Sequence, residues 1–224
     1  MDMLNNDLIE SIVLCFGAQI GKTEAELNMI GFALHQSKAP VMMVYPTDML
    51  AKFNSDKRVQ PMITNTEPLA NMYNENASSK LELNFTTGNY MVLSGANSPS
   101  SLASRAIKYV FFDEVDKYPV FSGKEANPIK LATERTKTFV DAKHVMVSTP
   151  TVENGNIWTA FKQAHAQKEY YVPCPHCGEY QKLVFKQIKW PDEAKGNKDR
   201  IRDTAYYECV HCKKAIHDKH KMDM

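Results

Sequence analysis

No stretch of the 224-residue chain approaches the run of about eighteen apolar residues that a membrane-crossing helix needs. Nor does a basic segment followed by an apolar one open it: MDMLNNDLIE has neither part of a secretion signal, so a soluble, cytoplasmic protein is the expectation. Neither sign of charge prevails, with 27 lysines and arginines against 26 acidic residues. Bulk charge therefore gives no hint of a nucleic-acid partner, and any such contact would have to come from a local surface. Cysteine is sparse and odd in number, five in all, which argues against a disulfide framework. Internal repeats and low-complexity segments are missing too. What is present is 43% hydrophobic content, enough for one good-sized core with a small satellite module beside it.

Along the chain, Ser11 to Phe16 is an apolar, β-rich run that empties into GAQIGKT, and Leu27, Ile30 and Leu34 then recur at helical spacing. The expected order is strand, glycine loop, helix. A second buried strand, Val41 to Tyr45, stops at Pro46, and Asp48 to Asn76 reads as mostly helical, interrupted at Pro61 and Pro68. Leu81 to Phe85 and Tyr90 to Leu93, parted by TTGN, read as a hairpin, followed by the small polar loop Ser94 to Arg105. Ile107 to Phe112 is a strand running into Asp113, Glu114, Val115 and Asp116. A helix around Glu125 to Thr138, a strand Lys143 to Val147, the elbow Ser148 to Thr151 and a helix around Ile157 to Gln167 follow. Buried strands alternating with helices imply an α/β fold with a mostly parallel sheet, whose ligands gather at the C-terminal strand ends. From Tyr170 the character changes, so we divide the chain into residues 1–168 and 169–224.

A strand that ends in a glycine loop and Gly-Lys-Thr at the start of a helix suits a nucleoside triphosphate, because backbone N–H groups and the helix N-terminus face the phosphates. Gln19, Ile20, Gly21, Lys22 and Thr23 would form the cradle, with Lys22 on the β- and γ-phosphates and the Thr23 hydroxyl on Mg²⁺. The spacing departs from the usual phosphate loop: only three residues separate Gly17 from Gly21, and Phe16 stands where the first glycine belongs. An apolar strand ending Asp113-Glu114 supplies the partner such a loop needs, Asp113 on Mg²⁺ through water and Glu114 as general base. Each motif also has a plain reading: a helix start, a solvated turn. Ser148, Thr149, Pro150 and Thr151 fit either a reporter of the γ-phosphate or an ordinary helix N-cap. Arg105, closing a polar loop, fits either an arginine finger or a surface arginine. Asp116 and Lys117 read as surface residues or half of an ion pair, with no catalytic role.

Four of the cysteines form two Cys-x-x-Cys pairs, Cys174/Cys177 and Cys209/Cys212, while Cys15 sits alone in an apolar run. Two such knuckles joined by roughly 30 residues supply the four soft ligands of tetrahedral Zn²⁺. His176 and His211 are then internal to the knuckles, and a closed Cys₄ shell points to a structural role. Free or disulfide-bonded pairs are the competing reading.

Taken in order, AQIGKTE, YPT, GANSPSSLASR, YVFFDEVDKYP, STPT and VPCPHCG resemble the lambda-type large terminase subunit of tailed phages. The resemblance implies a P-loop NTPase fold of the terminase/RecA-like ASCE type with a C-terminal zinc ribbon, and with it ATP, Mg²⁺ and structural Zn²⁺. It implies an ATPase motor that drives double-stranded viral DNA into a procapsid, with a small terminase subunit, a portal protein and a homo-oligomeric ring as partners, in the cytoplasm of an infected bacterium. By position it places Lys22 and Thr23 in the phosphate loop, Asp113 on Mg²⁺, Glu114 as catalytic carboxylate and Ser148 to Thr151 as coupling motif. Two departures stand out. An arginine frequent in the family's phosphate loop is missing near Ala18, which leaves Arg105 as candidate, and no separate acidic cluster matches the family's nuclease domain. A motor fragment without the nuclease is the expectation, endonuclease activity belonging to the full-length protein. A helicase-like translocase or a non-catalytic zinc module that binds DNA or protein are the alternatives.

Overall fold

The computed structural model describes residues 2–123 and 126–224, which separate into two compact units, Met1–His165 and Ala166–Met224. The first unit follows β1 (Ser11–Cys15), α1 (Lys22–Phe32), β2 (Val41–Tyr45), α2 (Asp48–Asn54), α3 (Gln60–Asn65), α4 (Glu67–Ala70), β3 (Glu82–Asn84), β4 (Tyr90–Gly95), α5 (Pro99–Leu102), β5 (Tyr109–Asp113), α6 (Pro128–Thr133), β6 (Lys143–Ser148) and α7 (Asn156–Gln163). The six strands form one sheet in the order β1-β6-β5-β2-β4-β3. All pairings are parallel except that of β3 with β4 at the edge. Parallel strands are buried on both faces, and alternation sorts their side chains into two cores. Val41, Met43, Tyr45, Phe111 and Val145 pack toward α1 and α3. Met42, Val44, Val110 and Phe112 pack toward α5, α6 and α7. Among the described residues no helix is long and apolar enough to cross a membrane.

Three expected elements come out differently. Pro61 does not interrupt its helix, because a π-helical turn over Ser55–Val59 shifts the hydrogen-bond ladder just before it, and the proline sits at the start of α3 where a missing N–H is tolerated. The helix expected over Glu125 to Thr138 is shorter. Pro128 begins it, the Asn127 side chain caps the Ile129 N–H, and a single 3₁₀ turn over Glu134–Thr136 closes it. Glu125 itself lies outside the described residues. The helix expected to reach Gln167 stops at Gln163, where Ala164 turns extended.

The second unit is small. A hairpin of β7 (Tyr171–Pro173) and β8 (Tyr180–Lys182) carries one cysteine knuckle, and β9 (Ile188–Lys189), α8 (Lys198–Thr204), β10 (Tyr206–Glu208) and β11 (Ala215–Ile216) carry the other. The last three strands make a sheet in the order β11-β10-β9.

Candidate functional site

The sheet brings the polar motifs of the first unit to one edge, the C-terminal ends of its parallel strands. β1 opens into the glycine loop, β6 into Ser148–Thr151, β5 into Asp113-Glu114, β2 into Tyr45-Pro46-Thr47 and β4 into Gly95-Ala96-Asn97. β6 lies between β1 and β5, so the Ser-Thr-Pro-Thr loop stands between the glycine loop and the acidic pair. Asp48 ties two more of these ends together, accepting the Gly95 N–H at 2.8 Å and the Ser98 hydroxyl.

Gly21, at φ 85°, turns the chain into α1 and leaves Lys22 as its first residue; Gln19 also takes a positive φ of 56°. Lys22 is only 8% exposed. Its Nζ donates to Glu114 Oε1 at 3.1 Å and to Thr149 Oγ1, so three motifs far apart in sequence meet at one ammonium. Ala18, Gln19, Gly21, Thr23, Glu24, Arg58, Lys117 and Thr151 complete the walls of a cleft of about 610 Å³ around it. Glu114 holds a left-handed backbone, φ 54°, and its second oxygen takes Lys117 at 3.2 Å. Burial pushes this carboxyl upward, but the hydrogen bonds from Lys22 and Lys117 outweigh it and hold it below the ordinary range.

Asp113 lies just behind, at the last position of β5 and 8% exposed. Burial, reinforced by the charge of Glu114, raises it from 3.8 to about 6. The same environment holds an acid that the sequence pattern concealed. Glu26, one turn after Lys22 on the apolar face of α1, is completely buried beside Asp113. Burial first, then the charges of Asp113 and Glu114, push its carboxyl well above the ordinary range.

Not every expected residue reaches this cleft. The Ile20 side chain is mostly exposed, and Ser148 is buried beneath the loop, where its hydroxyl receives the Asp116 N–H at 3.4 Å. Arg105 is elsewhere: it forms a two-pronged pair with Glu82 at 2.6 and 2.8 Å and lies over the Tyr90 ring. The arginine that does line the cleft is Arg58, 3.5 Å from Glu24. In sequence it stands in the charged run Ser55 to Arg58, and no motif marks it.

In the second unit the Sγ atoms of Cys174, Cys177, Cys209 and Cys212 all lie within 4.8 Å of one another, with two of the separations at 3.9 Å. Thiolates 2.3 Å from a central Zn²⁺ stand about 3.8 Å apart at the corners of a tetrahedron, so the four sulfurs fit a metal. Both knuckles turn alike, through a positive φ at Gly178 (76°) and Lys213 (60°), and each closes with an N–H bonded back to its first cysteine carbonyl. Burial works against ionisation of Cys209, yet the N–H groups of Cys212 and His211, with the neighbouring thiols, outweigh it and favour the thiolate that a metal binds. His176 points away from the sulfurs, its Nε2 2.8 Å from the Ala215 carbonyl.

The model of the phage terminase large subunit gpA ATPase domain matches residues 1–224. The terminase large subunit of Enterobacteria phage P21 is 26% identical over 223 residues, covering 97% of this chain and 35% of that protein. The corresponding subunit of Escherichia phage lambda is 24% identical over 217 residues, 94% of this chain and 34% of that protein. The chain thus spans about a third of these relatives. Its fold is similar to the large terminase ATPase domain of Thermus phage P74-26, with a TM-score of 0.55 at 20% identity over 77% of this chain and 72% of that one.

Proposed function

Because the chain belongs to the phage terminase large subunit gpA ATPase domain family, we propose that it is the ATP-hydrolysing motor part of a large terminase subunit, coupling hydrolysis to the packaging of DNA into a procapsid. One observation carries this reading: Lys22, Glu114 and Thr149 converge on one another at the N-terminus of α1. The amides from Gln19 to Thr23 cradle the β- and γ-phosphates, and the helix N-terminus favours their charge. Lys22 is engaged by Glu114 and Thr149 in the described state; its move to the phosphates frees Glu114 to orient water and accept a proton from it. The Asp113 carboxylate and the Thr23 hydroxyl are hard oxygen donors that suit Mg²⁺. Magnesium, when bound, neutralises charge on the phosphate oxygens. Thr149, touching Lys22, senses whether the γ-phosphate is there.

Arg58 is placed to offset charge within the chain's own cleft. Arg105 stands outside it and serves as an arginine finger only toward a neighbouring subunit of a ring. The Cys₄ cluster holds structural Zn²⁺. Double-stranded viral DNA, a small terminase subunit and a portal protein are the partners, in the cytoplasm of an infected bacterium, and endonuclease activity is assigned to the full-length protein. The test is Glu114→Gln, which retains ATP binding while turnover falls by at least about a hundredfold. Full-rate hydrolysis by that variant overturns the mechanism.

A further inference from the structure

The geometry points to Asp116 as the positioning residue that links the state of the phosphate loop to helix α7. It is half-buried, in the single 3₁₀ turn Val115–Lys117 that follows the left-handed Glu114. Among the described residues no lysine or arginine pairs with it; instead three neutral groups from two segments donate to it. Its Oδ2 accepts the backbone N–H of Thr151 at 2.9 Å and the Thr151 hydroxyl at 3.0 Å. Its Oδ1 accepts the N–H of Ile157, in the first turn of α7, at 2.8 Å. Gly155 lies so close that a Cβ there would stand 2.4 Å from Oδ2. Alongside, the Asn156 side chain donates to the Val115 carbonyl at 2.8 Å.

The loop Ser148–Thr151 is therefore held at two points. Thr149 takes Lys22 from the phosphate loop, and Thr151 takes Asp116, which also caps α7. A shift of Lys22 onto a nucleotide releases the first point, and the loop can relax only by moving against the second. The carboxylate receives neutral N–H and O–H donors in a fixed fan, so a displacement of Thr151 is passed to the first turn of α7 rather than absorbed by a flexible salt bridge. The residue touches no phosphate and takes no part in bond breaking. α7, Asn156–Gln163, lies wholly within the first unit, so the device is complete there.

This inference rests on the motor reading, and one experiment separates the two. Hydrogen exchange is followed on the 224-residue chain with and without Mg²⁺ and a non-hydrolysable ATP analogue, and analogue affinity is measured in parallel. In the parent, the analogue changes exchange over residues 156–163 by at least about fivefold. In Asp116→Ala the analogue binds as tightly as in the parent, within about threefold, but exchange over 156–163 no longer responds to it. A merely structural role would raise exchange there and leave its response to nucleotide intact. Gly155→Ala serves as the second variant should Asp116→Ala not fold: it crowds the carboxylate without touching the cleft and is expected to uncouple α7 in the same way. A response to analogue in both variants equal to the parent's overturns the proposal, as does a parent whose α7 ignores bound analogue. A parent that binds no analogue overturns the motor reading itself.

Discussion

Asp113 and Glu26 are acids placed where water is scarce, and both bind protons more tightly in the folded chain than in the unfolded one. A carboxyl raised in this way stabilises the fold fully below its unfolded value and loses that contribution as pH rises through its folded value. For Asp113 the window runs from 3.8 to about 6. In magnesium-free buffer, Asp113→Asn should therefore remove a fall in stability between pH 4 and pH 7 of at most about 3 kcal/mol, read as the pH dependence of the urea midpoint relative to the parent. An identical pH profile for parent and variant would show that the folded state does not retain this proton. The sequence made Asp113, Glu114 and Lys22 legible because strand, loop and residue type all agreed. It hid Glu26, whose place on α1 is one an apolar residue would take, and it hid the role of Asp116. Every donor to that carboxylate lies 35 or 41 residues further along the chain, and no local pattern records a contact of that kind.

At the level of the element, the two knuckles are one turn written twice. The residue after the second cysteine must take a left-handed backbone, which glycine adopts without penalty and a side chain resists by about 1–2 kcal/mol. Gly178 meets the requirement and Lys213 pays for it with φ 60°. Lys213→Gly is accordingly expected to raise the stability of the metal-loaded second unit by about 1 kcal/mol, and Gly178→Ala to lower it by a similar amount, in chemical unfolding followed at the Tyr and Trp signals. Opposite signs at matched positions are the diagnostic outcome; equal signs would mean that the backbone angle does not govern the knuckle. The strands were legible in the same local terms, since Val41 to Tyr45 is fully buried and reads as an unbroken apolar run. Helix limits were less so. α6 starts at a proline cap, α7 stops at an extended alanine, and the helix through Pro61 survives on a π turn, each decided by hydrogen bonding that composition does not display.

For the whole molecule, the two units differ in what keeps them folded. The first has two apolar cores on either face of a six-stranded sheet. In the second, the buried cluster is Cys174, Cys209 and Ile216, while Tyr170, Phe185 and several other large side chains remain exposed. A unit of that size with so little buried apolar surface needs a staple, and the four sulfurs are the group placed to provide one. Purified chain is expected to carry about one zinc. Its removal by a chelator that spares magnesium should unfold residues 166–224, seen as rapid proteolysis there, while the first unit keeps its protease resistance and its binding of Mg²⁺ and ATP analogue. Because structural zinc contributes about 10 kcal/mol or more to small domains of this kind, partial loosening is not expected; the unit should be either protected or cut. Loss of nucleotide binding in step with zinc would instead mean that the first unit needs the metal to hold its site, and would overturn this prediction.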